Sequence, residues 1–533
     1  MRRVLAASDR ALLVEENDLE GAMRLHAALA AAALPGVEEL IPAARTVLVR
    51  FDPGTVPPDA LRRRIADLTT VADAAPDAGS VTIPVHYGGE DLTEVARLLG
   101  LTEDEVVARH IAATWRVAFT GFAPGFGYLA GDDPVFDVPR RPTARTRIPA
   151  GSVALAGTFS GVYPRESPGG WQLIGRTDAV MWDLHRDPPA LLAPGTVVRF
   201  ERAGRESVAA AAVHAVPAAH EGPFQVEVIR PGLQLVIEDL GRPGNAALGV
   251  SASGAADRGA LRRANRAVGN LPGEAAFELA GGGAILRFRG AGVVAVAGAR
   301  MDPVIVRADG VEFPVTDGDP AAIEDGDELR LGPARDGLRA AIAVRGGLDL
   351  EPALGSLASD TLAGLGAGPH GGSPLAAGAA IRLRGPAAAP SAVEPFPAPR
   401  DPLPVAGDRV TLRIVLGPRD DWFTAAGLRT LLEQEWLVTP RSDRVGIRLE
   451  GDAPLERAVA GELPSEGAVT GAIQVPPDGQ PVLFLPDHPL TGGYPIIGAV
   501  IDADLDLAGQ LPPGARIRFR LADAGAGRSE TGV

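Results

Sequence analysis

The sequence predicts a mainly β chain that opens on a small α+β unit, and three observations predict it. Glycine and proline are abundant, 66 and 48 of 533 residues, and aromatics make up only 5%. That mix suits turn-rich strands better than helix bundles. From Val81 onward, short β-rich runs such as VTIPVHY, WRVAFTGFAPGFGYL, RIPAGSVALAG and TVVRF recur between Pro and Gly breaks. Ahead of them, residues 1–78 alternate strand-like and helix-like patterns in the order β-α-β-β-α-β.

In the first unit, Arg10 to Glu15 has strand character and Leu19 to Ala33 carries Leu and Met at helical spacing. Val37 to Phe51 predicts two short strands, and Val56 to Leu68 a second helix entered through Pro57 and Pro58. This is a ferredoxin-like order. Residues 79–203 follow as short strands spaced for a closed or partly closed barrel, interrupted by one helix from Asp91 to His110. Residues 204–224 show no period and predict a linker. Strand-like runs resume over 225–388, a Pro/Ala-rich connector covers 389–407, a last β block covers 408–522, and 523–533 is expected to be a disordered tail. Gly169 to Gly175, GGWQLIG, is echoed by Gly492 to Gly498, GGYPIIG, each downstream of a turn of proline and small residues. The echo predicts related barrels in the two halves, with the aromatic as a groove wall.

Composition excludes several chemistries. The formal charge of −16 argues against nucleic acid as a partner. No cysteine is present, so thiol nucleophiles and thiolate metal sites are absent. No lysine is present either; all 51 basic residues are arginine. The chain therefore cannot bear biotin on a lysine, form an internal Schiff base or complete a Walker P-loop. The N-terminal stretch lacks the apolar core of a secretory signal, and no run of about 18 apolar residues occurs, so a cytoplasmic protein without membrane spans is expected.

The chemistry-bearing candidates lie in turn clusters. Phe122, Pro124, Gly125 and Phe126 form either a packed β-turn or a groove wall where glycine lets backbone approach a planar ligand. Arg147 precedes the turn of Pro149, Gly151 and Ser152, whose amides beside a guanidinium would suit a carboxylate or phosphate. Tyr163, Ser167, Gly169, Gly170, Trp171 and Arg176 follow closely, and His86 is the best-placed histidine. In the second half, Asp239 and Arg242 stand at a strand end, and Asp257 is either a helix N-cap or an acid-base group. Asp443, Arg444, Glu466, Gln474, Asp487, Thr491, Gly492, Gly493 and Tyr494 make the last block the most polar. Asp443, Glu466 and Asp487 could serve as acid, base or metal-binding groups, and Arg444 could neutralise a transferring carboxylate or phosphoryl group. The histidines do not cluster at metal spacing, and no metal site is assigned.

These stretches carry a family resemblance. FTGFAPGFGYL, RTRIPAGSVALAG and GVYPRESPGGWQLIGRT resemble the B-type subunit of the bacterial ATP-dependent 5-oxoprolinase, a family also described as allophanate hydrolase subunit 1. IEDLGRPG, GVSASGAADRGALRRANRAVGN, SDRVGIRLEG, PSEGAVTGAIQVPPDGQPVLF and TGGYP resemble the C-type subunit, the biotin-dependent carboxyltransferase-like module. Together they cover nearly the whole chain, which looks like a B–C fusion of the 5-oxoprolinase/urea amidolyase family. The resemblance implies cyclophilin-like barrels in both halves, two of them in the C-like region. It departs from the family pattern at Gly157-Thr158-Phe159-Ser160-Gly161, at Glu238 and at Ala256.

The resemblance implies an enzyme component that hydrolyses 5-oxo-L-proline to L-glutamate with a separate A-type subunit, ATP as co-substrate and Mg²⁺. The lactam carbonyl is a poor electrophile, and phosphorylating its oxygen would activate it. Arg147, Arg176, Arg242 and Arg444 are the expected anion-binding groups; Asp257, Asp443 and Glu466, for acid-base or Mg²⁺ work, complete with Arg444 the expected catalytic set, and without a P-loop the nucleotide is expected in a barrel groove. Two alternatives stand beside this. One is the carboxyltransferase component of a urea carboxylase-like system, with biotin on another chain; urea carboxylases place the C-like module first, the reverse of this order. The other is a non-enzymatic regulator of a histidine kinase. A homo-oligomer is compatible with each.

Overall fold

The computed structural model describes residues 2–69, 78–204, 222–394 and 402–522. The expected tail at 523–533 lies outside them, as do 205–221 of the expected linker and 395–401 of the expected connector.

The first unit is a four-stranded antiparallel sheet in the order Arg3–Ser8, Ala11–Glu15, Thr46–Phe51, Val37–Pro42. Two helices, Leu19–Ala32 and Pro58–Asp67, cover it. The expected order β-α-β-β-α-β is corrected to β-β-α-β-β-α. The edge place that a ferredoxin-like sheet gives to its last strand is taken by Arg3–Ser8, while Ser80–Tyr87 enters the barrel instead. Strand period explains the packing. Leu12 and Val14 face the helices with Leu25, Leu29, Leu61 and Ile65. Ala11 and Leu13 face the other way and pack with Ala468, Phe484, Leu490 and Ile496 of the last unit. A strand covered on both sides needs an unbroken apolar run, and ALLV supplies it.

Two seven-stranded closed barrels follow, and their strand orders match place for place. The first runs Phe159–Val162, Gly127–Gly131, Trp115–Thr120, Val197–Arg202, Ser80–Tyr87, Gln172–Arg176, Ser152–Ala156. The second runs Val482–Phe484, Gly446–Glu450, Trp436–Val438, Arg516–Leu521, Arg409–Leu416, Ile496–Val500, Ala472–Gln474. In each, the first and last strands of the chain segment pair in parallel. In each, a buried tryptophan donates from Nε1 to the carbonyl five residues upstream, Trp115 to His110 at 3.0 Å and Trp436 to Leu431 at 3.2 Å. The Gly-Gly-aromatic echo lies at the same place in both, where a two-stranded flap rejoins the barrel. The helix expected from Asp91 to His110 is two, Leu92–Leu99 and Glu103–Ala112, because Gly100 ends the first in a left-handed conformation.

Between the barrels, residues 225–388 form sheets of six and five strands around one apolar core, with helix Arg258–Ala267 on the five-stranded sheet. The barrel-like domain expected over 225–388 is built as these two sheets.

Candidate functional site

Three units, the first sheet, the middle unit and the second barrel, close around one cavity of about 520 Å³. The first sheet contributes Ser8, Asp9, Arg10, Glu38, Glu39 and Arg50; the middle unit contributes Ser251, Ser253, Arg258 and Arg262. The second barrel contributes Thr470, His488, Asp502 and Asp506 among apolar residues. The units are cross-tied at its edges. Glu39 accepts from the Gly244 and Ala246 amides at 2.9 and 3.2 Å and pairs with Arg50 at 3.1 Å. Asp506 accepts from the Arg258 and Gly259 amides at 3.1 and 3.0 Å, so a side chain of the second barrel supports the start of the middle unit's helix. Arg258 also meets Asp502 at 2.9 Å. Asp9 accepts from the Asp502 amide at 3.1 Å, and burial raises its pKa.

His488 stacks on Phe484 and its Nδ1 lies 2.9 Å from the Pro489 carbonyl. Burial pushes its pKa down to about 4, so the ring is neutral with the proton on Nδ1 facing that carbonyl. Nε2 is then an acceptor in the cavity wall.

Below the cavity lies a buried charge network. Arg444 is fully buried; its Nε and Nη2 donate to Asp487 at 3.1 and 3.0 Å, and Nη2 donates to the Gly254 carbonyl at 2.7 Å. Glu278 pairs with Arg444 through Nη1, and Glu238 lies 3.2 Å from Nη2. Ser253 and Thr361 donate to Asp487 at 2.7 Å each. Burial works against the Arg444 charge, but its carboxylate partners hold its pKa well above normal. Asp487 is held low by Arg444 against burial. Glu238 is pushed well up by burial, and neither of its carboxyl oxygens has a hydrogen-bond partner.

The structure does not bring the expected anion-binding arginines together. Arg147 is exposed and pairs with Glu166 at 2.6 Å. Arg176 is exposed and meets Asp178, which also faces the exposed His86. Arg242 is buried and donates to the Ala353 and Ala358 carbonyls, and Asp239 accepts from Gly241, Ser356 and Leu357 of the same loop region. Only Arg444 lies near the cavity, and there it is a tie between units.

The expected amide cradle at Pro149, Gly151 and Ser152 is occupied internally: the Gly151 amide donates to the Tyr163 carbonyl and the Ser152 amide to Pro149. The groove wall at Phe122, Pro124, Gly125 and Phe126 is a packed seam. Phe126 meets Tyr163 and Trp171 edge to face with ring centres 5.4 and 5.2 Å apart. The Gly125 amide donates to the Leu248 carbonyl of the middle unit at 3.0 Å. Gly169 leaves room for the Tyr163 hydroxyl, Ser167 and Gly169 belong to the flap, and the Gly170 carbonyl accepts from the Arg141 amide. Trp171 is core, whereas its counterpart Tyr494 is 41% exposed, so the two aromatics do not share a role as groove walls.

Asp257 caps helix Arg258–Ala267, accepting from the Ala260 amide at 2.7 Å, and its other oxygen accepts from Gln510 at 2.7 Å. Asp443 is exposed and closes its own turn through the Val445 and Gly446 amides. Glu466 is buried against Arg419, which also binds Glu15 of the first sheet. Gln474 donates to the Tyr494 carbonyl at 3.4 Å; Thr491 packs against Gly121 and Gly493 against Arg140, joining the two barrels. Sequence reasoning missed Asp9, Arg262, His488, Asp502 and Asp506. One legible signal was RGALRRANRA, a helix with four arginines and no acid to pair with them.

Two family models match the chain: carboxyltransferase domain subdomains C and D over residues 2–192, and subdomains A and B over residues 248–521. The B-type subunit of 5-oxoprolinase from Escherichia coli O157:H7 is 42% identical over 31% of this chain and 78% of its own length. The C-type subunit of 5-oxoprolinase from Escherichia coli K12 is 32% identical over 55% of this chain and 90% of its own. The solved structure of TTHA0988 superposes with a TM-score of 0.81 at 34% identity, covering 96% of this chain and 99% of that one. The chain belongs to the carboxyltransferase-domain family, with a region like the B-type subunit of 5-oxoprolinase followed by a region like the C-type subunit.

Proposed function

We propose that the chain is the joined B and C component of an ATP-dependent 5-oxoprolinase and that 5-oxo-L-proline binds in the cavity between its units. One observation carries this reading: the cavity is built jointly by the B-like and C-like regions, neither of which encloses it alone. Its volume of about 520 Å³ suits a small molecule. Its lining is polar and includes four guanidinium groups among five carboxylates.

Hydrolysis must activate an unreactive lactam carbonyl. Transfer of the ATP γ-phosphoryl group to the lactam oxygen makes the ring carbon electrophilic; water adds there, the ring C–N bond breaks, and a second water releases phosphate. Residues of this chain would orient the ring and limit water access. The nucleotide, with Mg²⁺ on its phosphates, would bind in the enzyme assembled with a separate A-type subunit.

The test is glutamate release from 5-oxoproline by the purified full chain with ATP, with and without the candidate A-type subunit. Release that needs all three supports the reading; none from a folded, associated complex ends it. The carboxyltransferase family match favours a second reading, carboxyl transfer from biotin on another chain. A biotinylated partner recovered with the native complex on streptavidin, with bicarbonate-dependent carboxylation, would favour that instead.

A further inference from the structure

Five carboxylates and four guanidinium groups line the cavity: Asp9, Glu38, Glu39, Asp502 and Asp506 against Arg10, Arg50, Arg258 and Arg262. Three of the arginines are engaged. Arg10 faces Glu38, Asp52 and Asp502 at 3.4, 3.5 and 3.8 Å; Arg50 faces Glu38 and Glu39; Arg258 faces Asp502 and Asp506. Arg262 has no ion pair or hydrogen bond among the described residues, and it stands one helical turn beyond Arg258 on the same face.

From this arrangement we infer that Arg262 is the anion receptor of the cavity and that its ligand is a small monocarboxylate, not the nucleotide. Charge decides the class. A single unengaged guanidinium can take one carboxylate in a two-point hydrogen bond. A nucleoside triphosphate carries several negative charges, and the acidic lining would repel it, with Arg262 alone to offset them. The inference rests on the proposed function only for which carboxylate binds.

The experiment is isothermal titration of the full chain by itself at low ionic strength. The probes are 5-oxo-L-proline, L-glutamate, acetate, 2-pyrrolidone and MgATP. The variants are Arg262→Gln, Arg262→Lys and, as a control off the cavity lining, Arg263→Gln. The expected result is that 5-oxoproline binds the wild type and Arg263→Gln alike, that Arg262→Gln weakens it at least tenfold, and that Arg262→Lys weakens it less. 2-Pyrrolidone, which keeps the ring and lacks the carboxylate, is expected to bind no better than the 5-oxoproline–Arg262→Gln pair. MgATP is expected not to compete.

The two readings fail separately. If 5-oxoproline binds equally well to Arg262→Gln, the receptor assignment is overturned while the proposed function stands. If 5-oxoproline does not bind but glutamate or acetate does, in an Arg262-dependent way, the receptor stands and the substrate reading loses its support. Competition by MgATP, or no carboxylate binding by a correctly folded wild type, overturns the inference.

Discussion

Replacing Arg444 with methionine should be among the most damaging single changes at the seam between the middle unit and the second barrel. The side chain is fully buried and makes two bonds to Asp487, one to the Gly254 carbonyl and an ion pair with Glu278. Methionine fills similar space, so the change mostly removes charge. It leaves Asp487, Glu278 and Glu238 buried, with Arg339, itself 3.5 Å from Glu278, as the remaining cation beside them. Breaking a buried ion pair from one side costs about 3–5 kcal/mol. Glu238→Gln is the internal comparison. Its carboxyl has no hydrogen-bond partner and burial favours its neutral form, so the amide should cost no more than about 1 kcal/mol. Urea unfolding followed by circular dichroism and by tryptophan fluorescence would read both variants. An Arg444→Met loss below about 1 kcal/mol, or a Glu238→Gln loss as large as that of Arg444→Met, would refute the account of the network.

Asp360, pushed by burial to about pH 7, accepts from Ser251 and the Ala363 amide. Its folded-state pKa is raised, so the folded chain holds the proton longer. The associated stability is complete below the ordinary carboxylate range and is lost as pH rises toward about 7. Asp360→Asn should flatten the stability profile over that window; an unchanged slope would contradict this. Asp257→Ala should cost about 1–2 kcal/mol by removing a helix cap, with Asp257→Asn much milder, as thermal unfolding would show. Phe126→Ala, in the aromatic seam, should cost about 3–5 kcal/mol, and a stable variant that only loses ligand binding would restore the groove-wall reading. Arg147→Ala and Arg176→Ala should leave glutamate release unchanged, because both side chains are exposed and neither belongs to the cavity lining.

The β-rich character, the two barrels and most helix positions were legible because each rests on local pattern: turn residues, apolar period and caps. The GGW and GGY echo marked a true structural correspondence because the same flap-to-barrel junction needs small residues in both halves. The N-terminal strand order was not legible. Arg3–Ser8 and Ser80–Tyr87 are both good strands, and tertiary pairing alone decides which joins the first sheet. The site was legible only in part. Arg444 and Asp487 stand out in the sequence, but their role as a tie between units depends on the Gly254 carbonyl and Glu278, distant in the chain. Arg147 and Arg176 look equally suited to anions until Glu166 and Asp178 are placed beside them. Arg262 differs from Arg258 in what lies opposite, and Asp502 and Asp506 come from another unit.

Glutamate release from 5-oxoproline, measured with the full chain, the A-type subunit, ATP and Mg²⁺, in wild type and in Arg262→Gln, tests the central claim most directly. Release by the wild type, with Arg262→Gln raising KM for 5-oxoproline at least tenfold and leaving KM for ATP unchanged, is the predicted result. Wild-type release with no change of either constant in Arg262→Gln would contradict the assignment of Arg262 as the substrate's receptor, and absence of release from an intact complex would contradict the function itself.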